Sequence, residues 1–157
     1  MKKEDIIKEK LALIDRVHSL KALSDDLWFL PFREGSWGIA DVISHFIAWD
    51  QFMIDNRISY LLKNEPFPQM AIDVEEINRS ASRYARSGIT KGQLIDEFIT
   101  KRKQLLSLLS ELDAERFARP LPGRENIILG NYFVGMIEHD EKHMVQIESF
   151  INQNQIA

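Results

Sequence analysis

The sequence predicts an all-α protein, a four-helix bundle with a short extra helix. Four long segments repeat apolar residues at three- and four-residue spacing, the pattern of helices that bury one face. No run alternates apolar and polar residues between tight-turn dipeptides, so strands should make up under about 5% of the chain. At 157 residues the chain suits a single domain spanning 1–157, with one full hydrophobic core.

The first helix is expected from about Lys3 to Leu23, with Ile6, Ile7, Leu11, Ile14, Val17 and Leu20 on one side. The linker SDDLWFLPFREGSWG follows, broken by Pro31, Gly35 and Gly38. The second helix runs from about Ile39 to Lys63 on the stripe Ile39, Val42, Phe46, Trp49 and Met53. NEPFPQ, with two prolines, must be a loop. A shorter amphipathic piece carries Val74, Ile77, Ala81 and Tyr84 and stops at Ser87-Gly88. Thr90 suits the N-cap of the third helix, which reaches about Leu112 with Leu94, Phe98, Leu105 and Leu108 inward. RPLPGREN breaks the chain again, and the fourth helix covers about Leu129 to Asn152. The long stretch between the second and fourth helices means that simple up-down connectivity is not required.

Apolar residues make up 45% and charged residues 28%, an ordinary globular balance. Net charge is −4, which argues against nucleic acid as a partner. The densest basic run, Lys101-Arg102-Lys103, reads as a solvated helix face. No apolar run approaches a membrane span, and the charged N-terminus lacks a signal-peptide core. There are no cysteines, hence no disulfides and no thiolate nucleophiles or ligands. These features together suggest a cytoplasmic protein.

The fourth helix carries His139 and His143, one turn apart, on the stripe Tyr132, Met136, His139, His143, Gln146 and Phe150. His45 lies on or beside the inner stripe of the second helix, with Val42, Trp49 and Phe52. An i, i+4 pair projects two imidazoles to one side, and a third from a facing helix completes a three-nitrogen face for a divalent ion. Such a face leaves a coordination position for water or substrate, as in catalytic zinc sites. The competing reading is three hydrogen-bonded core histidines, and spacing alone leaves both open. His18 falls toward a surface or boundary position. Asp41, four residues before His45, is placed to orient its ring. Glu138, Asp140 and Glu141 read as solvent-facing charges, with a general-base role as the alternative. Trp37, Trp49 and Phe52 read as core packing, with Trp49 as a pocket wall in the functional alternative. Tyr132 and Met136, two turns and one turn before the histidine pair, complete the candidate substrate pocket with Trp49.

WGIADVISHFIAWD around His45 and LGNYFVGMIEHDEKHMVQIESFI around the pair resemble the DinB/YfiT-like superfamily of metal-binding four-helix proteins. VEEINRSASRYARSGITKGQLIDEFITKRKQLLSLLSEL has that family's short helix, polar break and Leu-rich third helix, so the resemblance covers nearly the whole chain. It implies a bundle with one long crossover connection and a homodimer. It also implies that His45, His139 and His143 are a metal triad for zinc or nickel. Relatives of this kind include bacillithiol S-transferases and mycothiol-dependent maleylpyruvate isomerases. The resemblance therefore points to a metal-dependent enzyme acting on a small molecule, such as a transferase that uses a low-molecular-weight thiol. A metal-dependent hydrolase, or a bundle with a structural or sensing metal, is the alternative.

Overall fold

A computed structural model describes residues 1–155 and is mostly helical. The first long helix, α1, spans Lys3–His18 and continues as a 3₁₀ turn through Ala22. A five-residue helix, α2 (Asp25–Phe29), starts on Ser24, whose hydroxyl accepts from the Leu27 amide at 3.2 Å. The second long segment is α3 (Ile39–Met53), a π turn over Ile54–Ile58, and α4 (Ser59–Leu62). Then come α5 (Val74–Ala85), α6 (Lys91–Ser110) and α7 (Leu129–Gln155). Thr90 caps α6 as its sequence suggests: its hydroxyl accepts from the Gln93 amide, and the Gln93 side chain accepts from the Thr90 amide, both at 3.1 Å.

The long helices lie around the bundle in the order α1, α6, α3, α7, while α5 packs on the outside of α3. Chain order and spatial order therefore differ: α1 and α3 sit on one diagonal, α6 and α7 on the other. Each diagonal step needs a connection that crosses an end of the bundle. The first uses α2 and the loop to Gly38, which presses against the Leu30 carbonyl so closely that a Cβ there would sit 2.6 Å from its oxygen. The second uses a small antiparallel hairpin, β1 (Pro120–Leu121) and β2 (Arg124–Ile128). Its turn is Pro122-Gly123, with Gly123 at a φ of 77°, the left-handed region a glycine enters freely. The strands are two and five residues long, within the small share that the sequence leads one to expect.

The core divides in two. One cluster gathers Val17, Trp28, Ile43, Phe46, Phe98 and Ile147. The other gathers Ile6, Ile58, Leu61, Leu105, Leu109 and Phe133. The α3–α7 contact is the sparsest of the four between neighbouring long helices, and a cavity opens beside it. This looseness changes the face that α7 buries. Its buried stripe is Leu129, Phe133, Met144, Ile147 and Phe150. Tyr132, Met136, His139 and His143 run along its margin, and Gln146 is exposed. Leu11 and Tyr84, assigned by periodicity to inner faces, are also exposed.

Two charge assignments are corrected. Arg102 does not belong to a solvated basic face: it is 1% exposed. Its Nε and Nη2 donate to the two carboxylate oxygens of Asp50 at 2.7 and 3.1 Å, and its Nη1 to Asp140 at 3.1 Å. Asp140 does not face solvent either, because Lys10, itself fully buried, donates to the same Asp140 oxygen at 3.2 Å. Lys10, Asp50, Arg102 and Asp140 come from α1, α3, α6 and α7, so each long helix contributes one charge to a neutral buried tetrad. Burial alone would raise the Asp140 carboxyl, but Arg102 and Lys10 outweigh it and hold it below the usual range. Burial, then the Arg102 charge, lowers the Lys10 ammonium.

Candidate metal centre

His45 projects from the middle of α3 and is 5% exposed; His143 is half-buried and His139 exposed, both on α7. One nitrogen from each ring lies within 4.8 Å of the other two. Ring centroids are 5.6 Å apart for His45–His139, 4.9 Å for His45–His143 and 4.6 Å for His139–His143. The sequence placed these three side chains together, and the structure does too. His18 is exposed and far along the chain from them.

The orientation of His45 comes from a residue that sequence reasoning missed. Asn78, on α5, places its Oδ1 at 2.9 Å from His45 Nδ1 and 2.9 Å from Trp49 Nε1. An indole N–H only donates, so the Asn78 atom facing it is the amide oxygen. That oxygen must then accept from His45 as well, which puts the proton on Nδ1 and leaves the Nε2 lone pair bare. Among the described residues Nε2 is buried without a partner, and so is Nδ1 of His143. Asp41, assigned by spacing to orient the ring, does something else. It accepts from the Gly38 amide at 2.8 Å, from Ser82 Oγ at 2.6 Å and from Arg86 at 2.5 Å, pinning the start of α3 to α5. The signal for Asn78 was the register of α5, whose inward positions are Asn78, Ala81 and Ala85.

Burial pushes the His45 imidazole down to about 4 against the upward pull of Asn78, with the His143 and His139 rings adding to the depression. Burial, then the neighbouring His139, also lowers His143. Both rings are therefore neutral at pH 7, as metal ligands must be. Two unpartnered buried imidazole nitrogens in a cluster of three are a donor set that fits a divalent ion. Among the described residues, no aspartate or glutamate joins the cluster as a fourth donor.

The cavity beside the cluster has a volume of about 450 Å³. His45 and His139 form part of its wall, and Trp49, Phe52, Tyr132 and Met136 make much of it apolar. Trp37, by contrast, packs on the core and against the His45 ring, with centroids 5.2 Å apart. The two carboxylates on the wall are Asp50 and Asp140, both held in the buried tetrad.

A model of the DinB superfamily matches residues 13–147, a span that includes all three histidines and Asn78. The chain belongs to the DinB superfamily. No curated protein sequence matches it significantly. Among solved structures, this DinB-superfamily chain is similar to YfiT from Bacillus subtilis, described as a probable metal-dependent hydrolase with an unusual four-helix bundle topology. The TM-score is 0.73 at 15% identity, covering 99% of this chain and 89% of YfiT. The likeness shows a shared fold. No helix among the described residues is long and apolar enough to cross a membrane.

Two results are expected from this geometry. Replacing Asn78 with leucine removes the acceptor that fixes the His45 tautomer, so affinity for zinc should fall about 10- to 100-fold with the fold retained. Wild-type affinity in Asn78→Leu would show that the ring is held by packing alone. The second result concerns the metal-free protein. The folded His45 value of about 4 lies below the ordinary 6.5, so the unfolded chain binds the proton more readily. Stability from this group is complete above about pH 6.5 and is lost as pH falls toward about 4. Urea midpoints should therefore decline across that window, and decline less in His45→Gln. Equal slopes in the two proteins would assign the acid sensitivity to other groups.

Proposed function

We propose that the chain is a metal-dependent enzyme in which His45, His139 and His143 hold one divalent ion, zinc or nickel, and the adjoining cavity takes a small-molecule substrate. The observation that carries this reading is the cluster of three imidazoles beside an apolar cavity, with no fourth protein donor among the described residues. A structural or sensing metal would more naturally sit in a closed four-donor shell. Bound at this triad, the ion would supply Lewis acidity and make a small thiol or a water nucleophilic near neutral pH.

Of these two chemistries, transfer of a low-molecular-weight thiol to an electrophile suits the cavity better. Asp50 and Asp140 are already committed to Arg102 and Lys10, so neither is free to act as a general base. The chain has no cysteine, so the thiol must come from outside. Trp49, Tyr132 and Met136 would shelter an apolar electrophile from water while sulfur displaces its leaving group and the thiol proton passes to solvent. Hydrolysis is the second reading, favoured by the likeness to YfiT.

Loss of free thiol, followed with an arylating electrophile such as 1-chloro-2,4-dinitrobenzene, from which sulfur displaces chloride, separates the readings. On the proposed account, turnover needs both the metal and the thiol, and disappears in His139→Ala while the helical circular dichroism is unchanged. Metal-dependent ester or amide cleavage without any thiol would decide for the hydrolase instead.

A further inference from the structure

The π turn Ile54–Ile58 interrupts the second long segment at the cavity. Single π turns inside α-helices are frequent at functional sites. Arg57 lies within that turn. Its guanidinium carbon lies 5.0 Å from the centroid of Phe52 and 4.7 Å from that of Phe67, a clamp that holds the planar group. Its Nη1 donates to the Asn56 carbonyl at 2.9 Å. No carboxylate among the described residues forms an ion pair with Arg57, unlike Arg16, Arg79, Arg83, Arg86, Arg102 and Arg119. A guanidinium has five N–H donors, so several remain for a ligand.

Arg57 lines the same cavity as His45 and His139. The other charges of that wall, Lys10, Asp50 and Asp140, are balanced by Arg102 buried directly behind them, so Arg57 is the surplus. A protein with a net charge of −4 thus has a cavity of positive charge, and a divalent ion at the triad would add to it. Low-dielectric walls focus such a field on small anions.

We propose that Arg57 is the recognition site for an oxyanion, a carboxylate or a phosphate, on the substrate. The substrate class is then a small organic anion whose charged end lies on the Arg57 fork and whose apolar body extends along Trp49 toward the histidines. This deepens the reading given above and rests on it for the cavity being the substrate site.

Calorimetric titration of the metal-stripped full chain tests it without turnover and without metal-bound carboxylate. The probes are hexanoate, butyl phosphate and neutral hexanamide. At least one anion should bind about tenfold or more tightly than the amide, the worth of a charge-assisted fork. The tighter of the two tells carboxylate from phosphate. Arg57→Gln should bring that anion down to the level of the amide, with helical content and zinc binding as in the wild type. Arg57→Lys, which keeps the charge but not the fork, should fall between. The proposal is overturned if neither anion is preferred over the amide by wild-type protein, or if Arg57→Gln keeps the preference. It is also overturned if Arg124→Gln, in the adjoining cavity that Arg57 also borders, abolishes the preference while Arg57→Gln does not. Failure of the metal reading shows separately, as zinc content unaffected by removing a triad histidine, and leaves the anion preference standing.

Discussion

Replacing His143 with alanine should lower affinity for zinc or nickel by more than about a hundredfold, beyond the 10–100-fold that loss of an orienting partner costs. The reason is the donor count: three imidazoles stand within reach of one ion, and among the described residues no other acidic or histidine donor joins them. Removing one leaves only two nitrogens to hold the ion. His18→Ala is the matched control, because His18 is exposed and lies outside the cluster. Metal analysis of the purified variants reads the difference. Equal metal retention in the two would reject the triad.

The second large effect is on stability. Arg102→Met should destabilise the fold by about 3–5 kcal/mol, the cost of breaking a buried ion pair from one side. For a chain of this size that corresponds to a fall in Tm of roughly 6–20 °C. Arg102 grips both oxygens of Asp50 and also reaches Asp140, so its loss leaves two buried carboxylates with only Lys10 between them. Arg102→Lys keeps the charge without the two-pronged contact to Asp50 and should fall between. Thermal denaturation followed by circular dichroism measures this. A Tm within 2 or 3 °C of wild type in Arg102→Met, roughly the effect of 1 kcal/mol, would mean that the tetrad contributes little.

The triad was legible because helical spacing is strict: His139 and His143 share a face at i, i+4, and His45 falls beside the inner stripe of its own helix. The long helices were legible for the same reason. The tetrad was not, because periodic patterns assign charged residues to the outside by default. A signal was nonetheless present. Lys10 stands four residues from both Ile6 and Ile14, Asp50 from Phe46 and Ile54, and Arg102 from Phe98 and Leu106, all of which are buried. Asp140 shows the pattern on one side only, with buried Met144 four residues on. Charges so placed on each long helix, two of either sign, are what a neutral buried cluster looks like in sequence. Asn78 was hidden differently. Its partners His45 and Trp49 lie 33 and 29 residues away, and no local pattern reports a pairing at that distance. The hairpin escaped because its first strand has two residues, too few for alternation to show. The cavity beside the histidines opens because α3 and α7 meet so sparsely, which is a property of packing.

The central claim is that three imidazoles hold one divalent ion with a position open to the cavity. X-ray absorption spectroscopy of the zinc-loaded protein, with and without a small thiol such as 2-mercaptoethanol, tests it most directly. The account predicts three imidazole nitrogens at about 2.0–2.1 Å, one exchangeable light atom, and a sulfur at about 2.3 Å replacing it when the thiol is added. Four protein donors and a spectrum that the thiol leaves unchanged would contradict it.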